Sequence, residues 1–551
     1  MPPLTSRRWL QMLALLCLCL HILPVWLNHF FVTGDGPSHL YNARVLLDLI
    51  RQKDWDFYQT FYGWNRNFDP NWMSHILLAG LQSFLPAWLA EKVYLTGYIL
   101  VFATGFWRLG RQIGPSGELM ALLALPLVYQ YPLMMGFYNF TLSLGLWFWV
   151  VSCWISWRAH LTPLRRLLLS VLVLLLFFTH PVGLVFALIS IALYEITAIS
   201  LEPGLALRAR WEHLLKMTIE GSVVALPSLM LLAAYLYRRP GASSPNPETF
   251  HRLFHDMIEL TTLRSYFTEE GYWALAYAVA GGLVLVVFVG SRLWKRHWVA
   301  GDAFMLVFGI TLLLYFKQPG GFAGAGVLPI RLQALPWIGA FLWMATAQWS
   351  PRWQLIAAIP AAVLMTALLV LRLPVQQQAS QAAEEYQTAV SAIPPRQVVL
   401  PLSYSHNGKN LDGSQIAKRI WLFMHGGDYM GVSKPLILLG NYEANTGYFP
   451  IMWRHQINPF VYLSTQEGIE FQPPSVDIPG YAEKARWGRV DYVVTWCMDS
   501  TVMDHPYTQL TMKQLTEDFD EIFTTKHGRA RVYRKKGLGP EGYVGIPEKS
   551  L

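Results

Sequence analysis

The chain has 551 residues, of which 53% are hydrophobic and only 14% charged. An ordinary soluble protein carries roughly 25% charged residues, so the composition excludes one and points to a polytopic membrane protein with one more polar portion. The formal charge of +8 does not signal nucleic acid, because Lys and Arg cluster between apolar runs, where topology signals sit.

The first apolar run, Trp9 to Val32, follows Arg7 and Arg8. It is too long for a cleaved signal segment and lacks an A-x-A site, so it reads as a retained first helix. Runs of about 17–25 apolar residues cross a bilayer. On that measure helices are expected at 10–31, 88–107, 117–131, 137–157, 164–179, 182–199, 217–237, 271–291, 299–316, 327–347 and 353–373. His180-Pro181 separates the fifth from the sixth, and Pro removes a backbone donor there. One alternating set of loops holds Arg7/Arg8, Arg108/Arg111, Arg158/Arg165/Arg166, Arg208/Arg210/Lys216, Arg292/Lys295/Arg296 and Arg352. The positive-inside rule places that set, and the N-terminus, in the cytoplasm. Eleven crossings then place the C-terminus outside, in an inner (plasma) membrane. The 23 Trp suit interfacial aromatic belts.

The outer loops are unequal. The longest spans 32–87. Within it, Ser38 to Gln52 carries Leu40, Ala43, Leu47 and Ile50 on one face and Arg44, Asp48 and Arg51 on another, which predicts an amphipathic helix lying on the membrane. A second short apolar stretch opens at Asn71-Trp72-Met73-Ser74-His75. The loop 238–270 starts Pro-rich, at Pro240 to Pro247, and Lys317 to Gly326 is Gly-rich. From about Pro374 the composition turns polar. Short β-rich runs at 397–400, 435–439 and 490–496, a hairpin about His527-Gly528, and helical patterns at 382–391 and 511–517 predict a small α/β domain over 374–551. Four Cys without C-x-x-C or Cys/His spacing suggest neither a disulfide framework nor a zinc motif.

Gly34-Asp35-Gly36-Pro37-Ser38-His39 follows the first run directly. An acid where a helix leaves the bilayer is a functional-site candidate, although such acids also cap helices or pair with cations. Further landmarks are Asp69-Pro70-Asn71-Trp72 leading into Ile76-Leu77-Leu78-Ala79-Gly80, then Arg108-Leu109-Gly110-Arg111, Phe178-Thr179-His180-Pro181-Val182-Gly183 and Leu328-Pro329-Ile330-Arg331-Leu332. In this order, over about residues 1–373, the chain resembles the GT-C superfamily of integral-membrane glycosyltransferases, of the protein-O-mannosyltransferase and aminoarabinose-transferase type. The resemblance implies a sugar donor on a polyprenyl-phosphate carrier and an envelope glycan, lipid or protein as acceptor. It implies a GT-C-like membrane domain over 1–373 with the 374–551 domain outside. Many relatives carry a second acid where the fourth helix begins; here Asn139 stands instead.

The carrier phosphate is already a good leaving group. Such an enzyme must align the acceptor, remove its proton and hold phosphate charge. The resemblance makes Asp35 the candidate base, which burial would suit by raising its pKa. Arg331 is the candidate phosphate ligand, since its planar fork matches an anion, and Lys317 is a second cation beside it. His39, His75, Asn139 and His180 complete the candidate substrate contacts; for His180 a structural hydrogen bond at the helix break is the competing reading. His251, His255 and Glu259 have metal-compatible helical spacing, which an ordinary amphipathic loop helix shares, so no cofactor is expected and a divalent metal stays open but unsupported. No strand–loop–helix nucleotide motif or Ser-His-Asp set appears. The rivals are a transporter or flippase of a lipid-linked substrate and a catalytically silent GT-C-like subunit. A transporter often shows repeats and midplane charges, and neither is seen here.

Overall fold

The structure, a computed structural model, describes residues 6–239, 243–244, 248–322 and 326–538. Most of the Pro-rich stretch 240–247 lies outside the described residues. The apolar runs are helical, as they must be where no water is present to satisfy backbone N–H and C=O groups. In chain order the first half comprises α1 (Ser6–Leu27), α2 (Gly36–Ile50), β1 (Tyr62–Trp64), α3 (Met73–Gln82), α4 (Ala87–Ile113), α5 (Gly117–Ala124), α6 (Tyr138–Trp157), α7 (Pro163–Thr179), α8 (Pro181–Ser200) and α9 (Leu207–Arg238). Then come α10 (Phe250–Ile258), α11 (Glu270–Lys295), α12 (Ala303–Lys317), α13 (Leu328–Leu332), α14 (Ala334–Met344) and α15 (Pro351–Thr388).

Seven of these regions are long and apolar enough to cross a membrane: α1, α6, α8, α9, α11, α12 with the turn before it, and α15 with the turn after it. The other expected spans correspond to α4, α5, α7 and α13–α14, which are shorter or less apolar. The expected helix at 117–131 ends at Ala124, because Pro126 opens a tighter 3-10 turn over Leu125–Tyr129. α4 and α6 approach closely through small residues: a Cβ on Gly145 would lie 2.9 Å from Phe102 N. Several basic loop residues are paired. Arg7 lies 3.1 Å and Arg111 3.6 Å from Glu118, and Arg158 lies 2.6 Å from Glu195.

The C-terminal region folds around a five-stranded sheet. Its strands are β2 (Gln397–Ser403), β3 (Leu436–Leu438), β5 (Tyr492–Trp496), β6 (Phe519–Thr524) and β7 (Ala530–Lys535), in the order β3-β2-β5-β7-β6. The β3–β2 and β2–β5 pairs are parallel, and the β6–β7 hairpin closes one edge antiparallel. β5 is buried along its whole length, as suits a strand covered on both faces. Between β3 and β5 lie a one-turn helix, α16 (Glu443–Thr446), and β4 (Ile451–Trp453); α17 (Pro506–Asp518) precedes the hairpin.

Two connections tie this region to the rest. The change of composition at Pro374 falls inside α15, which continues to Thr388. There Tyr386 stacks on Trp496 of β5, with centroids 4.5 Å apart, and Glu385 accepts from Thr525 at 2.7 Å. β1, from the long first loop, pairs antiparallel with β4 in the register Gly63↔Met452. α2 corrects one expectation. It does not lie open on a membrane surface: Ser38, Leu40, Tyr41, Asn42, Ala43 and Leu47 are all buried, beneath the C-terminal region. A third side, bearing Ser38 and Asn42, bonds to the C-terminal region. Ser38 Oγ donates to Asp428 at 2.5 Å and Asn42 Nδ2 to Asn441 at 2.9 Å.

Candidate active site

Asp35 stands at the N-cap position of α2, with its side chain free of any capping bond to the helix. The backbone sets it there: Gly34 N donates to Met134 O and Asp35 N to Met135 O, both at 2.9 Å. This apposition needs glycine at 136. Gly136 has φ +89, and a Cβ there would lie 2.4 Å from Asp35 N. The sequence around Asp35 is therefore seated on the turn that precedes α6, far away along the chain.

A cavity of about 120 Å³ opens beside it. Asp35, His39, Asn139, His180 and Arg331 all line it, so five of the seven expected site residues converge. The rest of the wall is largely aromatic: Phe137, Tyr138, Phe140, Tyr235, Tyr442, Tyr448 and Phe449. Arg331 lies flat over Phe137, with its guanidinium 3.9 Å from the ring centroid. Its Nε donates to Gly326 O at 3.1 Å. Lys317 ends α12 and is not among the lining residues.

His75 also lies outside the lining. It meets Glu443, and so does His39. His39 Nδ1 is 2.6 Å from Glu443 Oε1, and His75 Nε2 is 2.6 Å from Oε2. His39 Nε2 lies 2.9 Å from the Gly136 carbonyl. All three side chains are buried. Burial opposes ionisation of Glu443, but His39 and then His75 outweigh it and bring its carboxyl down to about 2. Burial likewise opposes a charged His39, and the Glu443 carboxylate more than offsets it, so His39 lies above the usual histidine value. For His75 burial prevails and the shift is downward.

Asp35 has the opposite balance to Glu443. Burial pushes its carboxyl up, His39 opposes this, and the result is about 6. Its neighbours include a hydrogen bond from Tyr442 and, at 3.8 Å, His425 Nε2. His425 stacks on Tyr442 at 4.2 Å and lies 3.8 Å from Glu470. Burial, then the charge of Asp35, lifts Glu470 to about 7. Burial brings His425 down to about 3, so it stands neutral between the two acids.

Asn139 and His180 have local duties as well as cavity positions. Asn139 Oδ1 accepts from Ser74 N at 2.8 Å, and its Nδ2 donates to Asn71 O at 2.9 Å. It thus fixes the start of α3. A carboxylate in its place could take the first bond but not give the second. His180 Nδ1 accepts from Val182 N at 3.2 Å and caps α8, which leaves its proton on Nε2. His255, on α10, faces Glu259 at 3.2 Å and is half exposed, as on an ordinary helix face.

Sequence reasoning missed the helical-region aromatics Phe137, Tyr138, Phe140 and Tyr235 and, in the C-terminal region, His425, Tyr442, Glu443, Tyr448, Phe449 and Glu470. For the C-terminal set the run Asn441-Tyr442-Glu443 was the one available signal, an acid directly after an aromatic residue in an otherwise irregular stretch. No protein-family model and no curated protein sequence matches the chain.

Proposed function

We propose that the chain is a membrane glycosyltransferase of GT-C type that takes a sugar from a polyprenyl-phosphate carrier and attaches it to an envelope acceptor outside the cytoplasm. One observation carries the reading. Asp35 and Arg331, distant in sequence, line a single cavity at the ends of apolar helices, under a polar C-terminal cover.

In this reading Asp35 accepts the proton of the acceptor hydroxyl or amine. The acceptor atom bonds to the anomeric carbon while the bond from that carbon to phosphate oxygen breaks, and the carrier leaves as polyprenyl phosphate. Asp35, half protonated near pH 6, is tuned for that exchange. Arg331 has one of its five N–H donors on Gly326. The others suit the leaving phosphate, where fixed positive charge counts most. The aromatic walls present flat apolar faces to a sugar ring, and Tyr442, Tyr448 and His180 add polar edges.

The test is direct. Purified protein in detergent, given a panel of lipid-phosphate sugars and envelope acceptors, should release free polyprenyl phosphate only when both substrates are present. Sealed vesicles that move a lipid-linked sugar across the bilayer, with no release in detergent, would replace this reading with transport.

A further inference from the structure

His39, His75 and Glu443 come from α2, α3 and α16, three segments with no local connection. Their inner atoms nearly touch. His39 Nδ1 and His75 Nε2 are 3.5 Å apart, and each is 2.6 Å from a different oxygen of Glu443. The ligand atoms of the three side chains all lie within 4.8 Å of one another.

Proton bookkeeping makes this arrangement unusual. His39 Nε2 faces the Gly136 carbonyl at 2.9 Å. A carbonyl only accepts, so Nε2 carries a proton. A neutral His39 then turns the lone pair of Nδ1 toward a carboxylate oxygen, and two lone pairs at that distance repel. Something positive has to lie between them, either a second proton or a cation. Glu443 Oε1, fully buried, finds no hydrogen-bond partner despite the close approach. A proton on Nδ1 would answer that charge, but off the line of a good hydrogen bond.

We propose that His39, His75 and Glu443 form a binding site for one divalent transition ion of the zinc type. Two imidazoles and a carboxylate are a recurrent zinc set, with a fourth position left for water or another ligand. Bonds of about 2.0–2.1 Å in a tetrahedron separate ligand atoms by roughly 3.3 Å. The two ring nitrogens already have nearly that spacing, and the carboxylate oxygens have to draw back by roughly 0.7 Å. The outer nitrogen of His39 bonds to a backbone carbonyl, the arrangement that fixes tautomer and ring orientation in metal-bound imidazoles. The ion would displace the bridging protons and join α2 and α3 to the C-terminal cover. His39 also lines the cavity beside Asp35, so the ion sets the position of one of its walls. The proposal rests on this geometry and is independent of the glycosyltransferase reading.

Metal content of the purified full-length protein decides it. After dialysis against metal-free buffer, elemental mass spectrometry should find about one zinc-type ion per chain. Cobalt-exchanged protein should show the visible bands of a four-coordinate nitrogen/oxygen site. Glu443→Gln and His75→Ala should each lose retained metal by more than the tenfold that outer-shell changes typically bring, while His255→Ala, on α10, should keep it. Wild-type protein that is monodisperse and helical yet binds neither Zn²⁺ nor Co²⁺ at equilibrium overturns the proposal. So does equal retention by Glu443→Gln and His75→Ala. Should those two variants fail to fold, the wild-type titration and the cobalt spectrum still give the answer.

Discussion

Two carboxyls, Glu443 fully buried and Asp35 partly so, are driven in opposite directions, and the difference assigns their parts. Glu443 is held ionised between two imidazoles, whereas Asp35 has lost water and gained too little positive charge in return. A base works only when deprotonated. Because the Asp35 pKa is raised to about 6, transfer should fall as pH drops through about 6 and level off above it. Asp35→Asn should remove that dependence and lower turnover by about 10²-fold or more. A rate–pH profile of both proteins checks the pair of statements. Arg331→Lys keeps the charge but loses the planar fork and the flat contact with Phe137. Donor affinity should drop measurably in a lipid-donor binding assay, and unchanged affinity would make Arg331 a packing residue. Asn139→Asp tests the structural reading of Asn139. It leaves Asn71 O without its donor, so thermal stability should fall by about 1–3 kcal/mol, seen as a lowered Tm, with no gain of activity.

At the scale of elements, periodicity announced the helices and composition announced the sheet. The expected ranges 137–157, 164–179 and 182–199 meet α6, α7 and α8 within a residue or so, since each is a long, mostly apolar run bounded by Arg, Pro or His-Pro. The hairpin about His527-Gly528 was legible for the same reason, two β-rich runs around a turn. α2 was legible as a helix and misread in its surroundings. Its Arg44/Asp48/Arg51 stripe drew the reading to the membrane surface, while Ser38 and Asn42, small polar residues on another side, are what meet Asp428 and Asn441. α16 was illegible: one turn of helix has no period to detect, and nothing near Glu443 in sequence refers to His39 or His75. The β1–β4 pairing was equally hidden, because three-residue strands carry almost no pattern. That pairing is testable. Met452→Pro removes a backbone donor from β4, so limited proteolysis should cut the C-terminal region faster than in the wild type, while the helices stay protected.

At the scale of the whole molecule, the alternating basic loops imply one orientation. In an otherwise cysteine-free protein, Ser414→Cys should react with a membrane-impermeant thiol reagent from outside intact cells. Lys295→Cys should react only after the membrane is opened. Both positions are exposed. Labelling of both from one side would remove the eleven-span arrangement. α15 has a mechanical meaning in that arrangement. Its 38 residues make a rod of about 57 Å at 1.5 Å per residue, nearly twice the roughly 30 Å hydrocarbon thickness. Its far end is fixed to the sheet by Tyr386 and Glu385. A thicker or thinner bilayer changes the tilt of such a rod, and the sheet at its tip must travel with it. The cover over Asp35 is therefore moored twice, to the tip of a helix longer than a bilayer is thick and to the first outer loop through β1 and β4.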